Sequence, residues 1–459
     1  MTIAIPKKAD RAQPVYREIA DAIAREVRAG RLKPGSRLPT QRQLAEQLGV
    51  TLTTITRAYL EAQRRGLVTG EVGRGTFVRS PELELRQGGS QESTTINLGI
   101  NTMMPLPYAS ELADELAAAV PRTAAASIFD YQPHAGSLRS RTAGATWIAR
   151  TGLAATADRV VVTAGGQHAI LIALLALTKP GDEILLEEFT YPSTRDICAR
   201  LGLHMRKLRL DRHGVPPEAL DAACRSGRAK VAYLMPTLHN PTTAVMPEAR
   251  RREVAAVVRK RGLMVIEDDV YGYLLPDAIP LSHLLPEDQT LYLTSTSKSL
   301  APGMRVGYLR APASLIEPLS AAIFRSVVNA PPAMAELASR LITDGTAVRI
   351  VEWKRKETAA RQEIATRVLK GLRCQTHPAS PHLWVSLPDP WQAEAYVAEA
   401  KERGVIINAA DAFAVDGDTR LQAVRVCLGP PRSRAVLEDA LTRLVRIPDQ
   451  TRELQTLVV

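Results

Sequence analysis

The sequence predicts an α/β protein in two parts: a small helical unit that ends in a short hairpin, then a large unit whose mostly parallel sheet is covered by helices. Three observations carry this. From Ile96 onward, short apolar runs alternate with amphipathic stretches, the pattern of strand–helix–strand crossovers. Before residue 80 that alternation is missing, and apolar residues instead recur every four positions and give way to turn chemistry. Between the two, residues 81–95 (PELELRQGGSQESTT) hold few apolar residues around a Gly-Gly-Ser centre, the composition of a flexible linker. The expected division is residues 10–80, the linker 81–95, and residues 96–455. The last splits into a larger part, about 125–330, and a smaller α+β part, about 331–450.

In the first unit Val15, Ile19, Ile23 and Val27 form one apolar helical face, which Gly30 and Pro34-Gly35 end. A second helix runs from Thr40, a suitable N-cap, to Leu48, and Gly49 stops it. A third runs from Thr51 to Arg65. Leu67–Thr69 and Thr76–Arg79 then read as two strands joined at Glu71-Val72-Gly73-Arg74-Gly75. That order is a winged helix-turn-helix.

In the second unit the expected strands are Val160–Val162, Glu183–Leu186, Val231–Met235, Leu263–Glu267, Thr290–Thr294 and Arg305–Leu309. Pro331-Pro332 marks the passage into the smaller part.

Composition narrows the function classes. No apolar run reaches the ~18 residues that span a bilayer. The nearest, Thr163 to Leu177, is interrupted by Gly165, Gly166, Gln167 and His168. Met1 to Asp10 lacks the apolar core of a signal peptide, so a cytoplasmic protein without a membrane partner is expected. Cys198, Cys224, Cys374 and Cys427 are far apart and form no CxxC pair, which indicates neither a zinc site nor a disulfide framework. The net charge is +11, and residues 11–80 carry 13 Lys and Arg against 6 Asp and Glu. A basic module of this kind favours a polyanion such as double-stranded DNA.

A helix-turn-helix places the start of its reading helix in the major groove. Here that start is Thr51, Thr53 and Thr54, followed by Arg57, whose hydroxyls and guanidinium suit phosphates and base edges. Arg37 and Arg42 flank the preceding helix, and Arg74 stands at the wing tip. The strings Pro34-Gly35-Ser36-Arg37-Leu38-Pro39-Thr40-Gln41-Arg42, Gly49-Val50-Thr51, Arg57-Ala58-Tyr59 and Gly73-Arg74-Gly75-Thr76-Phe77-Val78 resemble the GntR superfamily signature. Leu52 departs from it, since such proteins often carry an arginine at that point.

The most informative stretch of the large unit is Ser295-Thr296-Ser297-Lys298 followed by Arg305. It offers an amine for a Schiff base, with hydroxyls and a guanidinium for a phosphate. Those are the needs of pyridoxal 5'-phosphate. Other residues complete the list. Gly166 and Gln167 open a helix after a strand, a phosphate cradle at a helix N-terminus. Tyr191 can stack on a ring. Asn240 follows His239, and Asp268 ends a strand three residues before Tyr271. All fall near expected C-terminal strand ends, where open α/β sheets bind ligands.

This constellation resembles the fold type I pyridoxal-phosphate-dependent aminotransferases over about residues 96–445. The resemblance implies roles. Lys298 carries the Schiff base and Asp268 pairs with the pyridine nitrogen. Asn240 and Tyr271 bond the phenolic oxygen. Gly166, Gln167, Ser295, Ser297 and Arg305 hold the phosphate, and Tyr191 stacks on the ring. Tyr131 reaches the phosphate of a second subunit, which implies a homodimer. Arg425 clamps a substrate carboxylate. Two positions depart from the pattern: Thr243 replaces a glycine, and a glycine pair is absent near Ala379-Ser380-Pro381-His382.

A GntR-like head on an aminotransferase-like body resembles the MocR group of regulators. The expectation is a transcriptional regulator that senses an amino acid, an amine or pyridoxal phosphate itself. The alternative is a working aminotransferase acting on an L-amino acid.

Overall fold

A computed structural model of the chain describes residues 14–28, 31–32, 36–64, 67–71, 75–78, 95–107, 109, 112, 114, 128–225, 227–417 and 419–457. The chain divides into two compact units, residues 1–94 and 95–459. Of the expected linker, all but Thr95 lies outside the described residues.

The first unit holds three helices, α1 (Val15–Arg28), α2 (Gln41–Leu48) and α3 (Leu52–Arg64), and an antiparallel hairpin of β1 (Val68–Glu71) and β2 (Gly75–Val78). Thr40 caps α2 through a capping box: its side chain accepts from Gln43 N, and its backbone N–H donates to Gln43 Oε1 at 3.0 Å. Gly49 ends α2 with φ 61°. Ile19 and Ile23 of the predicted stripe are fully buried, against Leu44, Ile55, Ala58 and Val68. Two bonds tie α3 to the start of α2 and the residues just before it. Thr56 Oγ1 donates to Gln41 Oε1 at 2.7 Å, and the Tyr59 hydroxyl donates to Pro39 O at 2.7 Å.

The second unit is built on a seven-stranded sheet in the order β4-β10-β9-β8-β7-β5-β6. The strands are β4 (Val160–Thr163), β5 (Glu183–Glu187), β6 (His204–Leu208), β7 (Ala229–Leu234), β8 (Met264–Asp268), β9 (Thr290–Ser295) and β10 (Gly307–Arg310). From β6 to β9 all pairs are parallel, and β10 runs antiparallel to both β9 and β4. One side packs Ile148, Val160, Tyr308 and Leu341, and the other Val161, Ile172, Ile266 and Ile323. Cover on both faces is why these strands read as unbroken apolar runs.

Two expectations need correction. The strand β6 was not expected, because His204, Arg206 and Lys207 interrupt its apolar residues at an edge of the sheet. The strand expected from Arg305 begins only at Gly307, since Arg305 takes a left-handed φ of 50° and turns its side chain toward Ser297.

The smaller part holds an antiparallel sheet in the order β11-β12-β15-β14. Its strands are β11 (Arg373–Gln375), β12 (His382–Ser386), β14 (Asn408–Ala409) and β15 (Ala423–Cys427). The first residues of the unit, β3 (Ile96–Asn97), pair in parallel with β13 (Val405–Ile406). Among the described residues no helix is long and apolar enough to cross a membrane.

Gly144, on the helix Leu138–Ala149, lets that helix approach β10: a Cβ there would stand 2.4 Å from the buried Tyr308 ring. Gly144→Ala is therefore expected to cost about 1–3 kcal/mol by overpacking. The check is a lower urea midpoint for the large unit with an unchanged slope.

Candidate functional site

The C-terminal ends of β4, β5, β8 and β9 converge on one cavity of about 640 Å³. Ten of the eleven residues expected for the cofactor line it, Gly166, Gln167, Tyr191, Asn240, Asp268, Tyr271, Ser295, Ser297, Lys298 and Arg305, together with Arg425, expected for a ligand carboxylate; of the expected cofactor set Tyr131 stands elsewhere.

Lys298 lies on a single helical turn, Thr296–Ser299, that begins as soon as β9 ends. Its Nζ donates to Asn101 O. Burial pushes its ammonium down to about 8. Behind it the Lys298 carbonyl accepts from the Tyr273 hydroxyl at 2.8 Å and from Lys354 Nζ at 2.8 Å. Lys354 is itself fully buried, also donates to Leu300 O, and is pushed down to about 7 by burial.

Asp268 ends β8 with both oxygens held. The Tyr233 hydroxyl donates to Oδ2 at 2.5 Å, and Val270 N donates to Oδ1 at 3.2 Å. Burial raises its carboxyl to about 6, against the lowering effect of those two donors. A cation placed beside it would favour the ionised form.

Gly165, with φ 89°, starts the helix Gly166–Leu177. The positive φ favours glycine at 165, and a Cβ there would stand 2.7 Å from Arg305 Nη2 and displace that guanidinium. Arg305 Nη1 donates to Ser297 Oγ at 3.1 Å, and Nη2 donates to Ala164 O at 3.3 Å. A helix N-terminus, two serines and an arginine therefore meet at one end of the cavity, a donor set that suits a phosphate.

At the other wall, Arg425 is buried on β15. Its Nη1 donates to Asn240 Oδ1 at 2.9 Å and its Nη2 donates to Gly99 O at 2.5 Å. Its guanidinium lies 4.5 Å from the centre of the Phe413 ring. The Arg425 Nε has no hydrogen-bond partner although it is buried. A buried donor in that state is open to an acceptor from a ligand. An amine, a carboxylate on a strand end, a phosphate cradle and a ring-sized space between them fit pyridoxal 5'-phosphate, and Arg425 fits a carboxylate beside it.

In the head, Arg42, Thr53 and Arg57 are exposed at the start of α2 and on α3. Thr51 and Thr54 share a hydroxyl contact of 2.8 Å, and Thr51 Oγ1 accepts from Thr54 N at 3.3 Å, so the pair also caps α3. Leu52 is 44% exposed between them. Arg37 is exposed and bridges to Phe77 of β2. Arg74 lies outside the described residues.

Residues 15–78 match the family described as bacterial regulatory proteins, gntR family, and residues 93–444 match aminotransferase class I and II. The chain is 31% identical over 438 residues, 95% of each chain, to the uncharacterized HTH-type transcriptional regulator YdeF of Bacillus subtilis strain 168. The chain belongs to the MocR-type regulators of the GntR superfamily. It is also 24% identical to the HTH-type transcriptional regulator TauR of Rhodobacter capsulatus, over 91% of this chain and 93% of that one. In structure it resembles the kynurenine aminotransferase of Pyrococcus horikoshii with a TM-score of 0.73 at 22% identity, over 82% of this chain and 95% of that one, a likeness of fold.

Tyr131, of this MocR-type chain, is 82% exposed. It lines a separate cavity of about 730 Å³ with Phe129, Ala164 and Val328. The two departures noted in the sequence have structural answers. Thr243 adopts φ 64° and donates its N–H to His239 O at 2.7 Å, so it makes the turn a glycine would make. His382 does not line the cavity. It is fully buried, with its ring 5.9 Å from that of Tyr271. Burial pushes its imidazole down to about 3.

Sequence reasoning missed five residues at the site. Tyr233 reads as strand core, Phe413 as a loop aromatic and Lys354 as a helix surface charge. Gly99 and Asn101 sit in a stretch without a motif.

A lysine condenses with an aldehyde as the neutral amine. Capture of pyridoxal phosphate is therefore expected to speed up about tenfold per pH unit at low pH and to level off near pH 8. Stopped-flow absorbance checks this; a rate still climbing at about pH 10 is the behaviour of an ordinary surface lysine.

Proposed function

We propose that this chain is a DNA-binding transcriptional regulator whose body senses an amino acid, an amine or pyridoxal 5'-phosphate itself through Lys298. The supporting observation is the single cavity that gathers Lys298, Asp268 and Arg305 and faces them with Arg425. When bound, pyridoxal phosphate supplies an aldehyde that links to Lys298 and can pass to the primary amine of a ligand.

The chain's own residues do the rest. Asp268, held by Tyr233 and Val270 N, keeps a proton on the ring nitrogen. Asn240 and Tyr271 bond the ring oxygen, and Tyr191 covers one face of the ring. Gly166, Gln167, Ser295, Ser297 and Arg305 hold the phosphate. A ligand carboxylate finds Arg425, whose Nε is unpartnered. By taking Arg425 from Gly99 O and Asn240, it alters how the two parts of the body meet at the cavity.

A homodimer completes the reading. Phe129, Tyr131, Leu138 and Phe324 are exposed apolar side chains. The cavity beside Tyr131 includes Ala164, next to the phosphate cradle. A second copy seated there brings its tyrosine toward that cradle. Two heads then meet an operator with two half-sites, through Arg37, Arg42, Thr51, Thr53, Thr54, Arg57 and Arg74. Ligand and DNA are linked by a coupling of ~1–3 kcal/mol, as regulators of this size of effect require.

The test is absorbance of the cofactor-loaded protein against a panel of amino acids and amines. A stable, ligand-specific band that also changes operator affinity supports the sensor. A band that decays while keto acid accumulates over many turnovers makes the body an aminotransferase instead. A change of operator affinity with pyridoxal phosphate alone makes the cofactor the effector. Lys298→Ala is expected to abolish the band. Arg425→Gln is expected to weaken carboxylate ligands by about tenfold to a hundredfold while sparing simple amines. Arg42→Ala and Arg57→Ala are each expected to weaken DNA binding and to reduce its salt slope by about one; gel shifts across a salt series decide.

A further inference from the structure

Asn101 lies on the segment Leu98–Thr102, just after the strand in which the large unit begins. The segment is held from several sides. Leu98 N donates to Ile406 O at 2.8 Å, and Leu98 O accepts from Cys427 N at 2.8 Å. Gly99 O accepts from Arg425 Nη2 and from Asn408 Nδ2. Asn97 Oδ1 accepts from Gly99 N at 2.9 Å and Ile100 N at 3.2 Å, an Asx turn that sets the bend. The outcome is that Asn101 meets two groups of the cofactor cavity at once. Its carbonyl accepts from Lys298 Nζ, and its Nδ2 donates to the Tyr271 hydroxyl at 2.5 Å. No motif and no role read from the sequence covers this residue.

The bond to Tyr271 has a direction that matters. A phenol has one proton to give and two lone pairs to receive with. With one lone pair taken by the Asn101 amide, the Tyr271 proton is aimed elsewhere, and the open direction is the cavity that Tyr271 lines. A hydroxyl that accepts one hydrogen bond also donates more strongly, by about 10–30% per bond in such chains. Tyr271 is buried, so its hydroxyl has little water to serve in place of the amide.

We propose that Asn101 is a positioning residue for the cofactor: its side-chain amide aims and strengthens the Tyr271 hydroxyl as a donor to the ring oxygen of pyridoxal phosphate, and its carbonyl holds the Lys298 amine at the cavity wall. This rests on the cofactor reading above. The charged and titratable groups that face Lys298 and Tyr271 are Asp268, Arg305, Arg425 and Cys427. Lys354 and Tyr273 stand on the Lys298 carbonyl, and His382 stands beside the Tyr271 ring. All remain in the variants below.

The experiment is a pH titration of the absorbance band that the full-length, cofactor-loaded protein owes to Lys298. A strong donor on the ring oxygen stabilises its ionised form, so the proton shared with the lysine linkage leaves at lower pH. Loss of the Asn101 amide therefore raises the midpoint. Asn101→Ala and Asn101→Leu, the second keeping the bulk if the first fails to fold, are expected to raise it by about 0.5–1 pH unit. Asn97→Ala loosens the same segment without touching Tyr271 or Lys298 and is expected to titrate as the natural protein does. In a Tyr271→Phe background, Asn101→Leu is expected to add no further shift, because the interaction it removes is already gone. A midpoint that stays or falls in both Asn101 variants overturns the proposal, as does an equal rise in Asn97→Ala or a full additional shift without Tyr271. A natural protein that shows no Lys298-dependent band at all overturns instead the cofactor reading on which the proposal stands.

Discussion

Burying a lysine is the constraint on which the body is organised. Burial opposes the charge of Lys298 most; Arg425 and Arg305 oppose it as well, while Cys427 and Asp268 favour it. An ammonium in such a place is costly, and the group answers by giving up its proton more readily. Its surroundings then have to hold a reactive amine in place by hydrogen bonds in place of an ion pair. Asn101 O takes the amine, while Tyr273 and Lys354 fix the carbonyl of the same residue. The helical turn that carries Lys298 is only four residues long, so these bonds, more than the helix, set where it points.

Backbone strain gathers at the same place. Four described residues other than glycine have positive φ: Leu238, Thr243, Arg305 and Val328. Leu238 and Thr243 bracket Asn240, and Arg305 lines the cavity. Each such residue costs on the order of 1 kcal/mol. The surrounding bonds offset it: Thr243 N on His239 O, and the Arg305 guanidinium on Ser297 and Ala164. Such strain is tolerated where a side chain must point in one direction.

Much of this was legible in the sequence because PLP chemistry asks for unusual neighbours. A lysine among serines with an arginine seven residues on, or an aspartate at a strand end, can be read without coordinates. The α2 cap and the Gly49 stop were equally legible, since capping depends on local residue type. What escaped depends on distance in the chain. Asn101 meets Tyr271 across 170 positions and Lys298 across 197, and nothing local marks it. Tyr233 is indistinguishable from core until β7 and β8 are side by side. The boundary at Arg305 was misplaced because Val306-Gly307-Tyr308-Leu309 is apolar enough to extend a strand backward, whereas the arginine obeys Ser297. Tyr131 was expected to reach the phosphate of a second subunit, and within this chain it lines a cavity apart from the other cofactor residues.

Among the described residues, the clusters that form the head's core and those that form the body's cores have no side chain in common. The head's core runs from Ile19 to Val78, and the cores of the body draw on residues from Leu98 onward. A chain of two units with separate cores falls outside the single-domain case for which one melting temperature is well defined. A unit as small as the head is marginal on its own, whereas the body has several cores to lose. A small molecule bound in the body raises the body's transition by mass action alone. Any movement of the head's transition by that same molecule is free energy transmitted between the units, so the two halves of one calorimetric trace separate binding from communication.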